Sequence, residues 1–166
     1  APQLTEEEAQ SLIWYEKAAQ PGLVVDIQNR ADVAAFFETY YEGSAGVNPN
    51  WTGDVDNCIA GDTDPAFKDS VLNRVNYYRA MAGLPGNVVF NGIFNQRSQD
   101  AALMMIAEGN LSHFPGTDWA CYTIEGATAA RSSNLSLGSY GVRAIDGQME
   151  DFGDFNISGR ARYLFR

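Results

Sequence analysis

Residues 73–85 read Asn73-Arg74-Val75-Asn76-Tyr77-Tyr78-Arg79-Ala80-Met81-Ala82-Gly83-Leu84-Pro85. Upstream, Pro65 supplies a fixed φ suited to the first turn of a helix. Val71, Leu72, Val75, Tyr78, Met81 and Ala82 then recur at helical spacing until Gly83 and Pro85 end the run. Asn76 and Arg79 lie three apart and share one face, which places them to anchor loops by hydrogen bonds rather than to bind substrate. Downstream, Phe94 to Glu108 is the strongest helical pattern of the chain, closed by Gly109-Asn110, a pair suited to a left-handed cap. Val88 to Phe90 is a short strand candidate. Farther out, helices are expected over 31–41, 118–131 and 141–149. Another is expected from Thr5-Glu6-Glu7-Glu8, a cap followed by acidic side chains at the positive end of the dipole, to Ala19, with Pro21-Gly22 as its stop. Helices dominate and strands are scarce.

The chain has 166 residues, of which 45% are hydrophobic and 19% charged, enough to bury a core without a metal. Eleven basic against twenty-one acidic residues leave a formal charge of −10. That balance argues against nucleic acid and against an anionic membrane surface as partner, because either would have to be neutralised by basic side chains. No apolar run approaches the roughly 18–20 residues of a membrane helix. The chain opens Ala1-Pro2-Gln3 without an initiator methionine, as expected where a leader has been removed or a start engineered.

Cys58 and Cys121 match no zinc-knuckle spacing, and an even count points to one disulfide, with two buried thiols as the alternative. Residues 43–64 are rich in Gly, Asn, Asp and Pro and read as a long loop, which Cys58 would pin. Its Asp54, Asp56, Asn57, Asp62 and Asp64 fail the calcium-loop pattern and read as a solvated acidic surface. Phe36, Phe37, Tyr40, Tyr41, Tyr77 and Tyr78 sit at helical spacing and read as core rather than as a groove for sterol or sugar. Asn-x-Ser/Thr sequons fall at Asn50, Asn110, Asn134 and Asn156.

After the 73–85 run come Met104-Met105-Ile106-Ala107, Leu111-Ser112-His113, Trp119-Ala120-Cys121-Tyr122 and Ser133-Asn134-Leu135-Ser136-Leu137-Gly138. In this order the signals resemble the CAP superfamily of cysteine-rich secretory, antigen 5 and pathogenesis-related proteins, specifically a secreted bacterial branch. The resemblance covers roughly Asp32 to Leu164. It implies an α/β fold, a CAP-like α/β/α sandwich that is mainly helical in this chain, with later strands missing or supplied by another segment. The corresponding organisation is an N-terminal helical extension over 1–48 and a CAP-like domain over 49–166, unfinished at its C-terminal end.

The family's central groove carries two histidines and two acidic residues. The first histidine falls on His113, the glutamate of a Gly-Glu-Asn-Leu segment on Ser133, and the second acid on Asp151, with Gln148 where a tryptophan is usual. The family's Gly-His-Arg-Arg-Trp-Ile-Leu segment is replaced by Gly159-Arg160-Ala161-Arg162-Tyr163-Leu164, without its histidine. His113 is thus the only histidine, and no His–His metal pair can be built from this chain alone. Two readings of it stay open. It is structural, or it is a metal ligand or general base with Asp151 as its carboxylate, a pair that would hold Zn²⁺ or Ca²⁺ only weakly. Ser133 lacks a Gly-x-Ser-x-Gly elbow and does not read as a nucleophile.

The resulting expectation is a secreted module, extracellular or periplasmic, for binding or interaction, in a family linked to sterol and lipid binding and sometimes to proteolysis. Its degenerate groove would comprise His113, Ser133, Asn134, Asp151 and Arg160 and would face a lipid or glycan, with a second polypeptide covering the C-terminal edge. The alternative is a metal-assisted, peptidase-like hydrolase using His113 and Asp151, completed by a following chain or segment. Loss of two groove positions weighs against an enzyme. A third reading is a helical domain of partial likeness with a structural role.

Overall fold

The computed structural model describes residues 22–150, 152–153 and 162–163. Polar caps start its helices. Asn29 accepts from the Ala31 and Asp32 amides and opens α1 (Arg30–Phe36). That helix widens into a π turn over Phe37–Tyr41 and tightens into a 3₁₀ turn over Glu42–Ser44. Asp64 accepts from the Ala66 amide at 2.8 Å and, with Pro65 in the first turn, opens α2 (Pro65–Met81). Asn91 does the same for α3 (Gly92–Glu108) through the Ile93 and Phe94 amides, and Gly109 ends that helix at φ 70°. Thr123 caps α4 (Ile124–Ser132), and α5 (Val142–Glu150) follows. A two-residue antiparallel ladder joins β1 (Phe152–Gly153) to β2 (Arg162–Tyr163).

Two small clusters form the core. Ala101 and Met105 of α3 meet Ala129 and Ala130 of α4, with Trp119 and Leu135 packed against them. Gly126 permits this contact, because a Cβ there would lie 3.0 Å from the Asp100 carbonyl carbon and 2.9 Å from the Thr123 hydroxyl. The second cluster is aromatic. Phe36 stacks on Tyr77 at 5.4 Å between ring centroids, and Ala80, Tyr40, Tyr41 and Tyr78 complete it. Of the aromatics expected in the core, Phe36 and Tyr77 are buried, Tyr40, Tyr41 and Tyr78 are half-buried, with Tyr41 and Tyr78 also lining cavities, and Phe37 is 36% exposed.

Between α2, α5 and the 41–44 turn lies a buried charge. Arg74 is only 2% exposed. Its Nε donates to the Ser44 hydroxyl at 3.1 Å, and one terminal nitrogen donates to the Tyr41 carbonyl at 2.6 Å. The other donates to both carboxylate oxygens of Asp146, at 2.6 Å to Oδ1. The guanidinium carbon also sits 3.6 Å from the centroid of the Tyr41 ring. Asp146 accepts in addition from the Tyr78 hydroxyl at 2.9 Å. Burial, and then the hydrogen bond to the Asp146 carboxylate, raise the Tyr78 phenol well above its ordinary range.

The α/β/α sandwich is overturned. Helix accounts for 52% of the described structure and strand for 3%, and among the described residues the β1–β2 ladder is the one paired strand besides the single bridges Leu23–Gly86 and Asp54–Ile59. Val88 to Phe90, read as strand, has no strand neighbour. The Asn76 side chain takes the place of one: its Nδ2 donates to the Val88 carbonyl at 3.0 Å and its Oδ1 accepts from the Val88 amide at 2.8 Å. Arg79 donates to the Pro85 carbonyl at 2.8 Å, so both residues anchor the loop after α2 as their shared face implied. The helix expected over 118–131 begins only at Ile124, because the segment before it turns repeatedly and Cys121 holds a left-handed φ of 55°. The helix expected from Thr5 to Ala19 lies outside the described residues.

Removing Arg74 takes the cation from the Asp146 carboxylate, leaving it the Tyr78 hydroxyl, and removes one donor each from the Tyr41 carbonyl and the Ser44 hydroxyl. Arg74→Ala is expected to lower unfolding free energy by about 3–5 kcal/mol, measured by urea denaturation. A loss below about 1 kcal/mol would show that the network is not a stability determinant. Tyr78 sets an alkaline limit. Its raised folded value stabilises the fold fully below the unfolded phenol value of about 10, and this stabilisation is lost as pH rises above that value. Tyr78→Phe should therefore flatten the decline of stability above about pH 10, while adding a pH-independent cost of about 1 kcal/mol from the lost hydrogen bond. Equal alkaline slopes in variant and wild type would refute this.

Candidate ligand-binding groove

After α4 the chain enters neither helix nor strand over residues 133–136, and Ser133 leaves the helix at φ −105°, ψ 154°. The side chains then alternate in exposure. Leu135 faces inward against Ala101, Met105, Ala129 and Ala130, while Asn134 and Ser136 are exposed. Gln148 of α5 donates to the Leu135 carbonyl at 3.3 Å, and the Ser136 and Ser139 hydroxyls lie 2.6 Å apart, which holds the strip in place.

Along this strip and α3 runs a groove of about 480 Å³. Its floor is Ala101, Met105 and Leu135, and its rim carries Ile106, Leu111 and Leu137. Ile106 is 62% and Leu137 82% exposed, so the rim presents much hydrocarbon to water. Ser98, Asn110, Ser133, Asn134 and Ser136 supply the polar groups. No ionisable and no aromatic side chain is among the described lining residues. The size falls within the roughly 300–1,000 Å³ usual for small-molecule sites.

The expected site residues separate. Ser133 and Asn134 lie in the groove lining; His113 does not. It sits exposed on the loop between α3 and α4, with Nδ1 2.7 Å from the Ala130 carbonyl. A carbonyl only accepts, so Nδ1 carries a hydrogen in this bond. Asp151 and Arg160 lie outside the described residues. Among the described residues no three His, Cys, Asp or Glu side chains group to hold a metal.

The acidic loop is internally bonded. Asp54 accepts from both the amide and the side chain of Asn57, which holds its carboxyl below the usual range. Asp62 accepts from Lys68 at 2.6 Å, chiefly for which its carboxyl is also held low, and Asp64 caps α2. Cys58 and Cys121 form the disulfide, with Cα atoms 5.2 Å apart, and so tie this loop to the segment entering α4.

Sequence reasoning missed the charged pair. A second cavity, about 430 Å³, is lined by Arg74, Asp146, Ser44, Tyr140 and Arg143. Arg74 lay within the quoted motif, and its spacing from Ser70, Tyr77 and Tyr78 on one helix was the only available sign that it turns inward. Nothing in the sequence links it to Asp146, 72 positions away.

No family model matches this chain, and no curated protein or solved structure matches it. The likeness to the CAP superfamily therefore rests on the motif order alone. No described helix is long and apolar enough to cross a membrane.

Proposed function

We propose that this chain is an extracellular binding module that takes the hydrocarbon part of a lipid in the groove between α3 and residues 133–137. One observation carries the proposal: an apolar groove of about 480 Å³ whose described lining holds no charge and no aromatic ring. Burial of hydrocarbon against Met105, Ile106, Leu135 and Leu137 is favourable without any specific partner. A glycan would present hydroxyls to that lining and leave most of them unbonded, at a cost for each. The disulfide supports an oxidising compartment. The motif order resembling a family linked to sterol and lipid binding supports the same reading. The hydrolase reading ranks below it, because the described residues of the groove lining include neither His113 nor a carboxylate to act as base.

Ala102 is exposed and lines the groove, so Ala102→Phe fills it without touching the core. Each buried methylene contributes about 0.8 kcal/mol, so displacing two or more weakens binding roughly tenfold or more. Titration with a fluorescent single-chain fatty acid should show saturable uptake by the wild type and that loss in the variant, with unchanged helical circular dichroism. Absence of uptake by the wild type, or equal affinity in the two proteins, would refute the proposal.

A further inference from the structure

The strip that walls the groove has a second side. A further cavity, also about 480 Å³, lies between α2 and α5, with Val75, Ala82, Leu84, Val88, Ile145 and Met149 as its apolar lining. Asn134 and Ser136 line this cavity as well as the first. Ser133, Leu135 and Leu137 line only the first. The division alternates along the strip: the odd positions enter one groove, and the even positions form a polar ridge between two apolar grooves. One charged side chain contributes to the described lining of either groove, namely Arg79. Its Nε is fixed by the Pro85 carbonyl at 2.8 Å, which holds the guanidinium at the wall of the second groove.

We infer that the two grooves take the two hydrocarbon chains of one lipid, with its head group on the Asn134–Ser136 ridge and a single anionic phosphate beside Arg79. The inference rests on the lipid-binding reading above and narrows it to a two-chain anionic phospholipid. Two apolar grooves of equal volume that share Asn134 and Ser136 in their linings match the layout of such a molecule. A single-chain lipid would leave one of them in water. The amide of Asn134 and the hydroxyl of Ser136 can donate to ester and phosphate oxygens, and Arg79 supplies the complementary charge. The acidic surface of the protein disfavours docking on an anionic bilayer, so the bound species is a single lipid molecule rather than a membrane.

The test uses the full chain, freed of co-purified lipid, and calorimetric titration with three soluble probes. They are dihexanoyl phosphatidylglycerol, dihexanoyl phosphatidylcholine, and the single-chain lysophosphatidylglycerol of equal chain length. Ala82 is exposed and lines only the second groove, so Ala82→Phe blocks that groove as Ala102→Phe blocks the first. Two-chain phosphatidylglycerol should bind at least about tenfold more tightly than the single-chain probe, and either variant should remove that advantage. Arg79→Gln should erase the preference for phosphatidylglycerol over phosphatidylcholine, and Arg79→Lys should keep it.

Equal affinity for one and two chains, or two-chain binding indifferent to Ala82→Phe but weakened by Ala102→Phe, would overturn this inference and leave the single-groove proposal standing. Binding of no probe by the wild type would overturn both. A dimer in sedimentation that both variants dissociate would assign the grooves to a second copy of the chain and overturn the lipid inference too.

Discussion

The guanidinium of Arg74 is the constraint on which the arrangement of the other parts depends. It is an obligatory cation with its donors in a rigid fork, and burying it to 2% exposure demands acceptors from several directions. Those acceptors come from two separate stretches of chain: the 41–44 turn, through the Tyr41 carbonyl and the Ser44 hydroxyl, and Asp146 of α5. Each stretch is thereby fixed to α2. Burial of a charge pair adds little net stability over an apolar replacement, since desolvation offsets most of the attraction. Its effect is on geometry. An apolar residue at position 74 would accept many packings of α5, whereas the fork admits one.

That geometry reaches the grooves. Asp146 sets α5 against α2, and the floor of the second groove is made from Val75 on α2 and Ile145 and Met149 on α5. Two residues after Asp146, Gln148 reaches the Leu135 carbonyl and holds the strip. The strip is also held from within, because Leu135 packs on the alanine-rich contact of α3 and α4. The ridge is thus suspended between two rigid supports, which lets an exposed, uncapped stretch of chain keep one conformation without a strand partner.

Much of this was legible in the sequence at the level of elements. Pro65 and Gly109 act locally, within one helical turn, and local chemistry can be read from local sequence, whereas Asp64, read as part of a solvated acidic surface, and Asn91 prove to be caps. The loop-anchoring roles of Asn76 and Arg79 were legible for the same reason, as was the pairing of two well-separated cysteines that had no other partner. The Arg74–Asp146 bond was not legible, because helical spacing hints only at the face Arg74 occupies and says nothing of a partner 72 positions away. The sandwich expectation failed at a different level. It came from motif order, which carries information about ancestry but not about which backbone groups find partners. At Val88 the partner is a side chain, so a β-prone run forms no sheet. Of the expected site, Ser133 and Asn134 reached the groove because they follow α4 directly, while His113 turned back to the helix at Ala130.

The composition of the core explains why grooves exist at all. Among the described residues, five of the ten buried hydrophobics are alanines, Ala80, Ala101, Ala127, Ala129 and Ala130, and Met104 is the only fully buried large hydrophobic side chain. Small residues let helices approach closely but fill little volume between layers. Larger apolar side chains are instead left outside: Ile106, Leu111, Leu137, Leu84 and Phe114 are all exposed. A monomer gains nothing by displaying these, since each forgoes the transfer free energy that burial would supply. The forgone stabilisation is available to whatever molecule enters the grooves, and it is largest for one that covers both sides of the 133–137 strip at once. Under the proposed lipid-binding function, the sparse interior and the oily exterior are a single feature: the hydrophobic surface withheld from the core is the surface a ligand covers.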